Sequence, residues 1–332
     1  MSKCLVTGGA GFIGAHVIRA LVEGGHEVVV LDDMSGGFPD NVDARARLVE
    51  GSIVDHALVD RLFDEEGFEH VYHLAAYAAE GLSHFIKRFN YTNNVIGSMN
   101  LINASVNHEV DCFVFTSSIA VYGTGQVPMK ESLRPEPEDS YGIAKFAVEQ
   151  ELEATHRMFG LDYVVFRPHN VYGELQNLGD KYRNVLGIFM NQIMQGDPMS
   201  IFGDGEQTRA FSYVGDIVAP IADAPFTDGA RGEAFNVGAD VPYSVNDLAD
   251  AVRRAMGAPD HPIVHHPARD EVKHAFSDHS KVEAVFGASA GTSLDDGLTR
   301  MAEWAREHGP RSTEQFAGIE IARGLPPSWA EA

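Results

Sequence analysis

The chain has 332 residues, 44% hydrophobic and 22% charged, with 25 Lys and Arg against 48 Asp and Glu for a formal charge of −23. That length and balance exclude a disordered chain or one that needs staples, and suggest about two domains. The acidity argues against nucleic acid or an anionic membrane as partner, no apolar run reaches the roughly 20 residues that span a bilayer, and two cysteines, Cys4 and Cys112, cannot build a disulfide framework.

The N-terminus runs directly into a strand-like segment without a signal-peptide pattern, so a cytoplasmic location with both thiols reduced and buried is expected. Short β-branched runs predict strands at residues 4–6, 27–31, 47–49, 70–74, 112–116 and 163–166. Between them lie helical stretches. One covers residues 12–23, with Ile13, Val17, Ala20 and Leu21 on one face, and others start near Asp55, Thr92 and Tyr141. Alternating strands and helices predict βαβ units and a doubly wound parallel sheet of the Rossmann type. Beyond about residue 172 the pattern loosens into a Gly/Asn-rich stretch at 173–184, a helical run at 185–194, short strands, a helix at 247–256 and a last helix near 294–307. The Pro/His cluster at 259–267 reads as loop. Its histidines, His261, His265 and His266, lack the spacing of a zinc site, and no metal is expected.

The first strand ends in Thr7-Gly8-Gly9-Ala10-Gly11-Phe12-Ile13-Gly14. Glycines at 8, 11 and 14 suit a tight turn, a close approach of backbone to a pyrophosphate, and a helix packed on its strand. The helix opening at Phe12 would aim its N–H groups at the phosphates. Asp32 stands 18 residues after Gly14, at the end of the second strand, where an acid accepts from the adenosine ribose hydroxyls. Asp33 follows in place of an Arg, which favours NAD over NADP. The expected division is an NAD-binding domain over 1–172, with a returning segment near 212–240, and a smaller mixed α/β substrate-binding lobe over 173–332.

Tyr141 and Lys145 are four apart and share one helical face. A neighbouring ammonium and a cationic nicotinamide would lower the phenol from its usual value near 10 and make it a base, and a hydroxyl from Ser118 could orient the same substrate oxygen. The order and spacing of the glycine turn, Asp32, His73-Leu74-Ala75-Ala76, Asn93-Asn94-Val95, Thr116-Ser117-Ser118, Tyr141-Gly142-Ile143-Ala144-Lys145, the stretch Arg167 to Gly173 and the stretch Gly203 to Arg209 resemble the extended short-chain dehydrogenase/reductases, in their NAD-dependent sugar-nucleotide epimerase/dehydratase branch.

The resemblance implies catalysis by Ser118, Tyr141 and Lys145. It implies NAD contacts from Gly8, Gly11, Phe12, Ile13, Gly14, Asp32, Asp33, Leu74, Ala75, Ala76, Asn93, Tyr141 and Lys145, and an adenine turn at Ser52 and Ile53. Asn170, Asn184, Val185, Arg209 and Arg269 match positions gripping a nucleotide diphosphate. Glu80 falls where the sugar should sit, and His169 is read as filling space. Members of the branch begin by oxidising C4 of the sugar, and dehydratases then use an acid just after the catalytic hydroxyl. Here apolar Ile119 and Ala120 stand there. The implied activity is therefore NAD-dependent C4 epimerisation, with UDP-glucose and UDP-galactose first among substrates. The alternatives are a UDP-glucuronate 4-epimerase, a dehydratase, or a non-catalytic NAD-sensing protein. A homodimer is also implied, pairing residues 94–106 and 142–159, with Phe146, Leu152, Met158 and Phe159 as the apolar residues on offer.

Overall fold

A computed structural model describes residues 1–268, 273–288, 291–313, 316–326 and 329. Six strands in chain order, β1 (Lys3–Thr7), β2 (Glu27–Asp32), β3 (Arg47–Glu50), β4 (His70–His73), β5 (Cys112–Thr116) and β6 (Asp162–Pro168), form a sheet with the strand Glu233–Val237. Its spatial order is β3, β2, β1, β4, β5, β6 and then Glu233–Val237, and every neighbouring pair is parallel. The chain reverses its winding between β1 and β4, and the crevice at such a switch point is where open α/β sheets bind ligands.

The strands are apolar on both faces because both are covered. Cys4 and Val6 of β1 join one core with Val17, Ile18 and Leu21 of the helix Phe12–Glu23. Leu5 between them joins the opposite core with Val59, Leu62, Leu101 and Leu152. The first core continues into the later part of the chain through Phe189, Leu248, Leu298 and Met301. Leu152, offered above for a dimer contact, is spent in the second core, and Phe146 packs on the Ile119 cluster, while Met158 and Phe159 are exposed. Cys4 and Cys112 are free and buried, and burial pushes both thiols up to about 12.

Three local expectations need correction. The Pro/His segment holds a strand, Ile263–His266, pairing in parallel with Met199–Phe202. Its histidines bond nearby backbone carbonyls: His261 Nε2 lies 2.7 Å from that of Asp197 and His265 Nδ1 2.9 Å from that of Gly203. The helix expected from Thr92 is already running at Lys87, passes through one π-turn at Thr92–Ile96 and continues to Asn107. A short helix, Glu80–Ser83, also forms in the segment expected to face the sugar. Among the described residues no helix is long and apolar enough to cross a membrane.

Candidate active site

The glycine turn and the loop after β4 make the two sides of a groove. Gly8 has φ +72°, and a Cβ there would lie 2.6 Å from the Ala75 nitrogen. One on Gly14 would lie 2.8 Å from Gly9 Cα. Backbone passes so close at both points that only glycine fits. The helix behind, Phe12–Glu23, has no side-chain cap and no acid in its first turn. Its free N–H groups and positive dipole end suit a diphosphate, so the cradle fits a dinucleotide.

A chain of hydrogen bonds fixes the walls. Ala75 N–H donates to Thr7 Oγ1 at 3.3 Å, and Thr7 Oγ1 lies 2.8 Å from His73 Nδ1. His73 Nε2 lies 2.8 Å from Ser98 Oγ, which itself donates to the Asn94 carbonyl. His73 is thus a neutral Nε2–H tautomer by its partners, and burial holds it well below the usual imidazole range. Asn94 grips Tyr77 from both sides, accepting its N–H at 2.9 Å and donating to its carbonyl at 3.2 Å. His73 and Asn94 belong to the motifs quoted above, but sequence alone assigns neither a site role. The π-turn beneath Asn94 brings it there and is invisible to residue spacing.

Asp32 is 8% exposed. Its carboxylate accepts from Ala10 N–H and Met34 N–H, both at 2.9 Å, while burial raises its pKa. It therefore ties the second strand to the glycine turn. Asp33 is exposed and closes a local turn onto Ser35 N–H. Leu74 N–H donates to the Thr7 carbonyl at 3.1 Å, and Asn93 Nδ2 donates to the Phe89 carbonyl at 2.9 Å. Ser52 Oγ accepts from Val54 N–H, while Ile53 is buried in the core against Gly97.

The helix Ser140–Phe159 presents Tyr141 and Lys145. Asp139 caps it, accepting from Tyr141 and Gly142 N–H at 2.8 Å each. Ser83 Oγ accepts the Tyr141 N–H at 3.1 Å and donates to the Glu80 carbonyl at 2.6 Å, which joins the 80–83 helix to this one. The Ser118 hydroxyl is near enough to the Tyr141 phenol to favour its ionised form, and Ser118 Oγ accepts from Ala120 N–H at 3.1 Å. Lys145 Nζ donates to the Thr116 carbonyl at 2.8 Å and lies 4.7 Å from the Phe115 ring centroid and 5.8 Å from that of Tyr141.

The electrostatics differ from the sequence expectation. Burial, then the charge of exposed Glu80, holds the Tyr141 phenol above its ordinary value, with the Ser118 hydroxyl and Arg183 working the other way. Lys145 is itself buried, and its Nζ bonds the Thr116 carbonyl. Burial pushes Lys145 down to about 7, offset in part by Glu149.

The substrate candidates gather around residues 170–171 and 210. Asn170, at φ 40°, donates to the Ala210 carbonyl at 3.1 Å. Asn184 donates to the Val171 carbonyl at 2.6 Å and caps the helix Val185–Gln195 at Leu186 N–H. Val185 packs partly buried against the large core. Arg209 Nη1 donates to the carbonyls of Thr208 and Lys273 at 2.9 and 3.1 Å. Arg269 lies outside the described residues. His169, read as filling space, is a polar link. Its Nδ1 lies 3.1 Å from the Ala210 carbonyl, its Nε2 lies 3.1 Å from His279 Nε2, and His279 Nδ1 lies 2.6 Å from Asp240 Oδ1. Burial, with His279 beside it, pushes His169 down to about 3.

The chain is similar to known proteins over most of its length. A sequence profile described as the NAD dependent epimerase/dehydratase family matches residues 4–238. A putative UDP-glucose 4-epimerase of Methanocaldococcus jannaschii is 32% identical, over 92% of this chain and 98% of that protein. The crystal structure of a Thermotoga maritima UDP-glucose 4-epimerase with UDP-glucose superposes with a TM-score of 0.87 at 34% identity, covering 92% of this chain and 99% of that one. A Bacillus cereus UDP-glucuronic acid 4-epimerase, solved with UDP-glucuronic acid and NAD, superposes at 0.83 with 27% identity and coverage of 92% and 99%. With a glycine cradle that fits a dinucleotide and a Ser-Tyr-Lys group beside it, the chain belongs to the NAD-dependent epimerase/dehydratase family and is an enzyme that uses NAD.

Proposed function

We propose that this enzyme interconverts a UDP-hexose and its C4 epimer, with UDP-glucose and UDP-galactose as the first pair to test. The observation that carries the reading is the Ser118 hydroxyl close to the Tyr141 phenol, followed by apolar Ile119 and Ala120 where a dehydratase needs an acid. NAD supplies a hydride acceptor at C4 and the hydride returned to the opposite face of the ring. Tyr141 takes the C4 hydroxyl proton and gives it back, Ser118 orients that oxygen, and Lys145 sets the charge behind the phenol. Asn170, Asn184, Val185 and Arg209 hold the nucleotide diphosphate, together with Arg269, and Glu80 accepts from sugar hydroxyls.

Residues 1–172 with a returning segment near 212–240 form the cofactor lobe in this reading, and 173–332 is otherwise mainly the substrate lobe. The enzyme is then a cytoplasmic homodimer, whose exposed Ile96 and Ile143 supply apolar contacts between copies.

Deuterated water separates the reactions. A 4-epimerase returns its own hydride, so UDP-glucose and UDP-galactose interconvert with no carbon-bound deuterium and no accumulating NADH. Elimination across C5 and C6 exchanges the C5 proton, and deuterium there would replace this reading with a dehydratase. Turnover of UDP-glucuronate without UDP-glucose would move the substrate to a uronic acid.

The second test concerns Asp32, which we assign to the adenosine ribose. Asp32→Ala is expected to weaken NAD by roughly tenfold or more, since the ribose loses a charged acceptor, and to narrow the gap to NADP. Titrating both cofactors reads this, and equal wild-type affinity for NAD and NADP would contradict it.

A further inference from the structure

Arg183 has no role in the reaction described so far. It precedes Asn184, the cap of the helix Val185–Gln195, and its side chain is 30% exposed. Its guanidinium reaches the cofactor groove on two sides. On one, a Cβ built on Gly36 would stand 3.5 Å and 3.7 Å from its two terminal nitrogens. The next residue, Gly37, lies against the glycine turn, where a Cβ would come within 2.5 Å of the Ala10 carbonyl carbon and 2.8 Å of the Gly11 nitrogen. Phe38 N–H also donates to the Ala10 carbonyl at 3.0 Å. On the other side, Arg183 Cζ lies 5.3 Å from the centroid of the Tyr77 ring. Tyr77 is two residues past Ala75, which faces Gly8, and Asn94 holds it in place. The cation is thus bracketed by the immediate neighbours of both groove walls.

The groove needs such a cation. Residues 7–14, 32–38 and 74–80 contain no Lys or Arg, but they contain Asp32, Asp33 and Glu80. In a chain of net charge −23, these three stretches offer a dianionic diphosphate backbone dipoles but no side-chain cation of their own. Asp180 takes the Nε side of Arg183 at 2.9 Å, although Nε makes no well-formed hydrogen bond. That ion pair steadies the side chain from behind. The two terminal nitrogens, nearest Gly36, form the fork that matches two phosphate oxygens.

We propose that Arg183 clamps the diphosphate of the dinucleotide cofactor from the substrate lobe. The proposal rests on the cofactor assignment and adds a binding residue to it.

The test measures NAD release from the holoenzyme and rebinding of NAD, ADP-ribose and adenosine to stripped protein. Arg183→Ala and Arg183→Gln are expected to weaken NAD and ADP-ribose by roughly 10- to 100-fold, the range of a lost charge-assisted contact. Arg183→Lys should recover part of the loss. Adenosine, which lacks phosphate, should bind all forms alike, and UDP should bind the NAD-loaded variants as it binds wild type. Unchanged NAD release and ADP-ribose affinity would overturn the proposal. So would a loss of UDP affinity with NAD unaffected, which would give the cation to the substrate, or an equal loss of adenosine, which would mean a collapsed loop. Thermal melts identify a misfolded variant, and the Gln form, of similar length, carries the test if the Ala form unfolds. Wild-type protein that bound no NAD would remove the cofactor assignment as well, an outcome distinct from unchanged variants.

Discussion

Tyr141→Phe is expected to lower turnover by roughly 10²- to 10⁴-fold, the range for a lost general base, while NAD binding stays near wild type. The substitution keeps the ring that packs beside Lys145 Nζ at 5.8 Å and removes the hydroxyl near Ser118. The protein's own groups make this phenol hard to ionise, burial first and the Glu80 charge second. The phenolate fraction grows as pH rises toward the phenol's raised value, so turnover should climb with pH on the alkaline side of neutrality. Lys145, pushed down to about 7, loses its charge over part of the same range and so tempers that climb. Single-turnover kinetics with a UDP-sugar, beside NAD titration of the same variant, reads both halves. Near-normal turnover in the Phe variant would remove Tyr141 from the chemistry.

The pattern of buried β-branched runs between helical stretches made the parallel sheet legible, because strands covered on both faces must be apolar throughout. The helix Phe12–Glu23 and the strand Cys112–Thr116 fall where spacing put them. The strand Ile263–His266 was hidden because two of its residues, Val264 and His265, are exposed and only its pairing with Met199–Phe202 makes it a strand. Arg183 carries no local signature, since its meaning lies in loops more than a hundred residues away. The stretch from Phe316 to Trp329 was equally silent. Phe316 packs on Tyr77 and Phe89, with ring centroids 5.2 and 4.9 Å away, and Glu320 accepts from Arg88 and Phe89 N–H at 2.9 Å each. Glu149 could have been read, because it continues the Tyr141–Lys145 face by one more turn.

That last residue anchors the second large effect. Arg167→Met is expected to cost about 3–5 kcal/mol of stability, the range for breaking one side of a buried ion pair. The side chains of Arg167 and Glu149 are each 6% exposed and meet in a fork, Nε to Oε1 at 3.0 Å and Nη2 to Oε2 at 2.5 Å. Ser117 Oγ donates to the same carboxylate at 2.5 Å, and Arg167 Nη1 donates to Tyr122 Oη at 2.7 Å, which in turn donates to Asn236 Oδ1 at 2.9 Å. Burial opposes the guanidinium's charge, but Glu149 outweighs it and holds Arg167 above its ordinary value. The network joins Ser117, next to Ser118, to the helix that carries Tyr141 and Lys145 and to the sheet strand Glu233–Val237. Met fills similar space, so the loss would come from a carboxylate left buried without its cation rather than from a cavity. Urea unfolding of Arg167→Met, Glu149→Leu and the double variant separates the two causes. The double variant should regain much of the loss, because removing both charges leaves neither one buried alone. A single-variant loss below about 1 kcal/mol, the scale of an exposed pair, would show that this network does not hold the catalytic helix against the sheet.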